Sequence, residues 1–137
     1  WISLDRLPAR EAIDNRAREL IMTAQTGQAI VGVATGVVRL VSQLGVPMYH
    51  YRTLTSPGTR MRQVGTQLLL RSFAHLQEYN QRLDLPEAVG IYMEIENPQL
   101  MRFQNEAIWY QTRFLYVGKT PQGSHQRVRY FEHAGLP

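Results

Sequence analysis

The chain contains no cysteine, which excludes disulfides, thiolate nucleophiles and cysteine-rich zinc sites. This composition is compatible with a reducing compartment, and we expect a cytoplasmic protein. No apolar run approaches the roughly 18 to 20 residues that cross a bilayer, and no signal peptide is evident. The sequence therefore predicts a protein that does not associate with a membrane.

Several familiar site motifs are missing as well. Residues 56–70 contain no Gly-Lys-Ser/Thr for a P-loop, and the chain contains no G-x-G-x-x-G for a dinucleotide and no G-x-S-x-G for a serine nucleophile. His75, His125 and His133 have no metal-ligand spacing with one another or with the carboxylates. We therefore expect no bound metal.

What the chain does contain is enough apolar material for a core. Its 137 residues are 44% hydrophobic and show no low-complexity run, which predicts one compact domain over residues 1–137. The formal charge of +4 and the pI of about 9.8 suit an anionic ligand, a nucleic acid or merely a basic surface. Charge alone does not choose among these.

The order of periodic segments predicts a mixed α/β (α+β) sheet flanked by helices. Helices are predicted over residues 8–24 (ended by Gly27), 64–83 and 99–110, the last with Trp109 or Tyr110 buried. Strands are predicted over residues 29–44 (one long bent strand or two shorter ones), 46–55, 88–95, 113–118 and 126–133.

One segment, residues 56–70, is chemically specific: SPGTRMRQVGTQLLL leads from a strand through a basic turn into a helix. Unpaired backbone N–H groups at a helix start point to one spot and favour an anion there. Arg60 and Arg62 would add charge for a phosphate or pyrophosphate, and Gly65 would allow close backbone approach. In the alternative interpretation the arginines are solvated and Gly65 merely eases packing of the helix against the sheet.

The same segment resembles a known signature. Thr55-x-Pro57-x-x-Arg60-x-x-Gln63-x-Gly65-x-x-Leu68-Leu69 is similar to the strand-to-helix motif of the GNAT superfamily of acyl-CoA-dependent N-acyltransferases. Two positions depart from it, because Thr55 replaces an aliphatic residue and Gln63 occupies the first glycine position. A glutamine there would crowd a pyrophosphate or alter the loop.

A second region extends the resemblance to residues 29–133. Ile91-Tyr92-Met93-Glu94-Ile95-Glu96-Asn97-Pro98 looks like the next strand of that fold and its exit, and Trp109-Tyr110-x-x-x-Phe114-x-x-x-Gly118 resembles its later aromatic region. The spacing from Asn97 to Tyr110 is longer than typical. The first strand of the fold would lie before Trp1 or be absent.

The resemblance implies a GNAT-like, mixed, mostly antiparallel central sheet. It also implies transfer of an acetyl or other acyl group from acetyl-CoA to a primary amine by direct attack, with no covalent intermediate. The pantetheine arm would contact the strand edges at 52–55 and 92–94, and backbone N–H groups would stabilise the oxyanion. The implied acyl-CoA contacts are Leu54, Thr55, Arg60, Met61, Arg62, Gln63, Val64, Gly65, Thr66 and Asn97.

The candidates for the amine's proton route are His50, Glu94 and Glu96. Strand alternation places the two glutamates on one face, and a histidine titrates near neutral pH. Tyr110 is the candidate donor to the departing thiolate, since it lies where the family often places a tyrosine. Each also has a structural interpretation, namely a solvated or ion-paired glutamate, a sheet-surface histidine and a packed aromatic ring.

Other functions stay open. An acyl-homoserine-lactone-synthase-like enzyme and a GNAT-shaped binding or regulatory module without turnover share the predicted fold. Arg127, Arg129 and His133, interleaved with Tyr130 and Phe131, would form a basic aromatic face for RNA, but strand alternation divides these residues between two faces. The favoured partner is a small-molecule or peptide amine acceptor, and the closing strands offer an edge for a homodimer.

Overall fold

A computed structural model describes residues 19–57, 61–132 and 134, apart from the side chains of Met61 and Arg62. This part of the chain contains six strands and two helices: β1 Leu20–Thr26, β2 Ala29–Val41, β3 Val46–Thr55, α1 Met61–Arg82, β4 Gly90–Ile95, α2 Pro98–Phe103, β5 Leu115–Lys119 and β6 His125–Tyr130. Neither helix is both long and apolar enough to cross a bilayer.

The six strands form one sheet in the order β1-β2-β3-β4-β6-β5. The pairs β1–β2, β4–β6 and β5–β6 are antiparallel, whereas β3 and β4 are parallel and are connected through α1. A parallel pair requires a crossover connection, which α1 supplies. The prediction of a mixed, mostly antiparallel α+β sheet is confirmed.

The chain divides into two compact units, residues 1–37 with 51–76 and residues 38–50 with 77–137. In the first unit, α1 packs closely on β2. A Cβ added at Gly32 would lie 2.9 Å from Cδ1 of Leu68 and 3.2 Å from Cγ1 of Val64. Gly32 therefore allows the close approach of this helix to the sheet.

The prediction of a helix over residues 8–24 is wrong where the structure describes it. Residues 20–24 belong to β1, and residues 8–18 lie outside the described part of the chain. Gly27, with φ +61°, lies in the tight turn between β1 and β2. A short glycine-containing turn brings Thr26 opposite Ala29, and antiparallel pairing with β2 then determines the strand.

The second unit has its own apolar core. The buried residues Val41, Val46, Met48, Tyr92 and Val128 form a cluster, joined by Leu44, Val89, Val117 and Tyr130. A Cβ at Gly90 would lie 2.3 Å from the carbonyl oxygen of Arg129, so β4 can approach β6 only with glycine at this position.

A buried polar network joins the end of α1 to the segment before β4. Asn80 donates from Nδ2 to the Tyr49 hydroxyl over 3.0 Å, and its Oδ1 accepts from the backbone N–H groups of Glu87 and Ala88 over 2.9 and 3.1 Å. The Tyr49 hydroxyl donates to the Glu87 carboxylate. Burial, followed by this bond to Glu87, raises the pKa of Tyr49 far above its ordinary value.

The third predicted helix, over residues 99–110, is too long. α2 ends at Phe103, where Gln104 leaves the helical conformation with φ −124° and ψ 61°. The carbonyl groups of residues 104 and 106, which a helix to residue 110 would use, bond to Arg127 instead. The fully buried Arg127 donates to the carbonyl oxygens of Gln104, Glu106 and Phe114 over 3.2, 2.7 and 3.3 Å. Its guanidinium carbon also lies 4.3 Å from the centroid of the Trp109 ring.

Tyr110 is consequently not a buried helical residue, and its side chain is 95% exposed in a turn, whereas Trp109 is half-buried. The strand predicted over residues 113–118 begins two residues later, since Arg113 adopts a positive φ of 62°. The strand predicted over residues 126–133 spans His125–Tyr130, and His133 lies outside the described residues.

Candidate active site

The parallel pairing of β3 with β4 places two aromatic side chains together. His50 is the register partner of Tyr92, and the centroids of their rings are 4.5 Å apart. The Tyr92 hydroxyl donates to Oε1 of Glu94 over 3.0 Å, and it accepts from Nε2 of Gln126 over 2.8 Å. Gln126 reaches this position because β6 pairs with β4 so that Gln126 lies opposite Glu94.

These four side chains line a cavity of about 270 Å³ in the second unit. The cavity is completed by the end of β2 and by the β5–β6 turn, and its lining consists of Leu40, Val41, Ser42, Gln43, His50, Tyr92, Glu94, Thr120, Pro121, Gln122 and Gln126. Two residues predicted from the sequence for proton transfer, His50 and Glu94, therefore lie in one cavity.

The environment of His50 favours the neutral imidazole. Burial lowers its pKa most, and the charge of Arg39 lowers it further, while the Glu94 charge and a hydrogen bond with the Arg39 backbone oppose these effects. Nε2 is buried and has no hydrogen-bond partner within residues 19–57, 61–132 and 134, so the bond to Arg39 engages Nδ1. A neutral histidine with an unused Nε2 lone pair can accept a proton near pH 7.

Tyr92, in contrast to His50, keeps its proton and donates a hydrogen bond to Glu94. Burial raises the pKa of its phenol, and the hydrogen bond to Glu94 raises it further. Gln126, Tyr92 and Glu94 thus form a directional chain in which each donates to the next, ending on the carboxylate. The acceptor oxygen Oε1 of Gln126 is left buried without a partner.

Sequence reasoning missed Tyr92 and Gln126 as members of this cluster. Strand alternation signals Tyr92, because it lies two residues before Glu94 on the same face of β4. Nothing local signals Gln126, whose position depends on the register between β4 and β6.

Other predicted site residues lie apart from this cavity. The exposed Tyr110 lines neither of the two cavities described here. Glu96 is exposed beyond the end of β4. Asn97 is the N-cap of α2, and its side chain accepts from the backbone N–H of Gln99 over 2.9 Å, which gives it a structural role.

The predicted pyrophosphate segment is described only in part. Arg60 lies outside the described residues, as do the side chains of Met61 and Arg62. α1 begins at Met61 and has no acidic residue in its first turn, so no carboxylate there offsets the partial positive charge of its first N–H groups.

Gly65 has open space around it. Among the described residues, no atom outside its own part of the helix lies within 4 Å of a Cβ built there. This overturns the alternative interpretation that Gly65 eases packing of α1 against the sheet, a role that belongs to Gly32. Gly65 itself is half-buried.

The remaining predicted contacts lie in the first unit. At the end of β3, Leu54 is exposed and Thr55 is half-buried, and Thr66 is half-buried in α1. A second cavity, of about 430 Å³, lies beside β1 and α1 and is lined by Met22, Thr23, Ala24, Gln25, Gln63, Val64, Gln67, Leu68 and Arg71. Gln63, one of the two departures from the motif, lines this cavity.

In comparisons with known proteins, no protein-family model and no curated protein matches the chain. The GNAT resemblance thus stays a prediction that depends on the quoted motif. The evidence for a function is therefore the geometry of the residues described above.

Proposed function

We propose that the protein is an acyl-CoA-dependent N-acyltransferase that transfers an acetyl group to a primary amine. The observation that carries this proposal is the β3–α1–β4 arrangement. In it a helix connects two parallel strands, and β4 also pairs with the antiparallel β6. The motif from Thr55 to Leu69 falls at its strand-to-helix junction. In such units, ligands bind beyond the carboxyl ends of the strands, where the helix also begins.

The start of α1 is assigned to the pyrophosphate of the acyl donor. Its first N–H groups, the absence of acidic residues in its first turn and the open face of Gly65 all support binding of an anion. Arg60 and Arg62 supply positive charge in the adjoining sequence.

His50 is assigned as the base that accepts the amine's proton, and Glu94 as the group that holds the incoming ammonium. After His50 Nε2 takes one proton, the amine lone pair forms a bond to the thioester carbonyl carbon, and the carbon–sulfur bond then breaks. The ammonium loses two protons overall. One becomes the proton of the CoA thiol and the other is released to solvent, so charge and atoms balance.

Tyr110 keeps its sequence-based assignment as a candidate donor to the thiolate. Tyr110 is 95% exposed, and no contact among the described residues supports this role. Proton removal from the amine is assigned to the cavity residues alone. The N-acyltransferase proposal therefore depends on His50 and Glu94, and it does not require Tyr110.

One observation favours a second candidate, a binding module without turnover. Gln63 occupies a position that is glycine in the motif, and its side chain would meet a phosphate placed at the helix start. This candidate predicts no thiol release with any amine.

The test is a thiol-release assay on the full chain with acetyl-CoA and a panel of primary amines. Thiol release that saturates with acetyl-CoA and requires an amine would support the transferase. Dependence on S-adenosylmethionine would favour a homoserine-lactone-synthase-like enzyme instead. No thiol release and no thermal shift with acetyl-CoA would overturn the proposed activity.

A further inference from the structure

The cavity that contains His50 has a different charge character from the chain as a whole. The chain carries a formal charge of +4, yet no lysine or arginine is among the residues that line this cavity. Glu94 is the one carboxylate in the lining, and the other polar members are the uncharged Ser42, Gln43, Thr120, Gln122 and Gln126 together with His50 and Tyr92. This combination favours a cation with polar substituents over an acidic metabolite.

Two of the lining residues each carry a buried polar atom with no hydrogen-bond partner among the described residues, and both atoms are hydrogen-bond acceptors. They are Nε2 of His50 and Oε1 of Gln126. A buried acceptor without a donor costs about 1 to 3 kcal/mol, so such atoms are normally satisfied. A ligand that brings N–H and O–H donors would satisfy both.

The size of the cavity restricts the ligand further. Its volume of about 270 Å³ lies just below the range of roughly 300 to 1,000 Å³ that is typical of sites for drug-sized ligands. The cavity is therefore suited to a group of small-molecule size.

We infer that this cavity binds the amine acceptor, and that the acceptor is a small cationic amine bearing hydroxyl groups, of the amino-sugar or amino-alcohol class. This inference rests on the proposed function. Glu94 pairs with the ammonium, Nε2 of His50 accepts one of its protons, and Oε1 of Gln126 accepts from a hydroxyl group.

The test is equilibrium binding of amines to the ¹⁵N-labelled full chain, followed by NMR with no acyl donor present at pH 6.5, where both amines of the comparison are mainly ammonium ions. D-glucosamine and cyclohexylamine are a matched pair of six-membered-ring amines with and without hydroxyls, and L-glutamate adds carboxylates. We expect glucosamine to shift cavity resonances and to bind about tenfold more tightly than cyclohexylamine. L-glutamate should bind most weakly.

Two variants test whether glucosamine binds in this cavity. Glu94→Gln should weaken glucosamine binding by about fivefold or more, and Gln126→Met should remove the preference for glucosamine over cyclohexylamine. The exposed controls Asp84→Asn and Gln111→Met, which lie outside the cavity lining, should change neither value.

Equal or tighter binding of cyclohexylamine or L-glutamate by the wild-type chain would overturn the inference. So would the absence of any shift at cavity residues, whether or not the variants fold. Because no acyl donor is present, these results are independent of acetyl-CoA binding, which tests the proposed function separately.

Discussion

The imidazole of His50 on β3 packs against the phenol of Tyr92 on β4, with the ring centroids 4.5 Å apart and the planes inclined by 44°. This contact holds the histidine at the point where the two parallel strands pair. No described residue is a hydrogen-bond partner of His50 Nε2, while Tyr92 is engaged by Gln126 and Glu94. The arrangement holds the imidazole in place and leaves its Nε2 lone pair unused.

Replacing His50 should reduce turnover and leave donor binding intact. We expect His50→Gln to lower kcat for thiol release by about 100-fold or more, since general-base catalysis contributes roughly 10² to 10⁴. The KM for acetyl-CoA should stay within about threefold of wild type. His75→Gln, on the exposed face of α1, is the matched control and should behave as wild type. A kcat within threefold of wild type for His50→Gln would show that another group takes the proton.

The depressed pKa of His50 also predicts a pH dependence of stability. Because burial and Arg39 lower the folded-state pKa below the ordinary value of about 6.5, the unfolded chain binds a proton more readily. This contribution is fully present above pH 6.5 and is lost as the pH falls through the folded-state pKa. Burial and the charges of Lys119 and Arg127 lower the pKa of His125 too, so part of the acid loss belongs to that residue.

Urea unfolding of wild type and His50→Gln at pH 7.5, 6.5 and 5.5 measures how much of the acid-induced loss in the free energy of unfolding comes from His50. The free energy of unfolding of wild type should fall more steeply with acidification than that of His50→Gln. Parallel pH profiles for the two proteins would contradict a buried, neutral His50.

Asn80 should be important for stability although it lies far from any proposed chemistry. Asn80→Ala removes one of the two partners of the Tyr49 hydroxyl, which keeps its bond to Glu87, and the acceptor of two backbone N–H groups. We expect a loss of about 3 kcal/mol in the free energy of unfolding, measured by urea denaturation. The exposed Asn105→Ala should stay within about 0.5 kcal/mol. A similar small change for Asn80→Ala would mean that water replaces the network.

Arg127 should act as a structural support for the segment after α2. Arg127→Met keeps much of the side-chain length but removes the Arg127 donor from the carbonyl oxygens of Gln104, Glu106 and Phe114. Gln104 and Phe114 keep a donor in Trp109, so Glu106 is affected most. We expect a destabilisation of about 2 kcal/mol and faster amide hydrogen exchange across residues 104–114. Arg82→Met, at an exposed ion pair, should cost about 0.5 kcal/mol or less. Wild-type stability of Arg127→Met would contradict the support role.

The sequence predicted the elements that depend on local periodicity. The strand over residues 46–55 has the predicted bounds, and α1 and β4 are close to theirs, because proline and glycine interrupt the apolar pattern at their ends. β1 was missed because its strand conformation depends on pairing with β2, while helical spacing continues into it from the preceding residues. The end of α2 was missed because Arg127, distant in sequence, takes the carbonyls that a longer helix would use.

The candidate site likewise has a part that the sequence predicted and a part that depends on tertiary structure. His50 and Glu94 were predictable from residue chemistry and strand alternation, and the structure brings them into one cavity. The directional chain through Tyr92 and Gln126 was not predictable, because it depends on the register of three strands. Asn97 resembles a ligand contact in sequence but caps α2, since an asparagine before a helix serves that role equally well.

The most direct test of the central claim is isothermal titration of acetyl-CoA into wild type, Gly65→Ala and Ala74→Gly. Both substitutions lie in α1, and each should change the free energy of unfolding by about 0.5 to 1 kcal/mol, upward for Gly65→Ala and downward for Ala74→Gly. We expect micromolar binding to wild type and to Ala74→Gly. Gly65→Ala should bind about tenfold more weakly, or about 1.4 kcal/mol, despite its greater stability. Undetectable binding to wild type, or equal binding by all three proteins, would contradict an acyl-CoA pyrophosphate site at the start of α1.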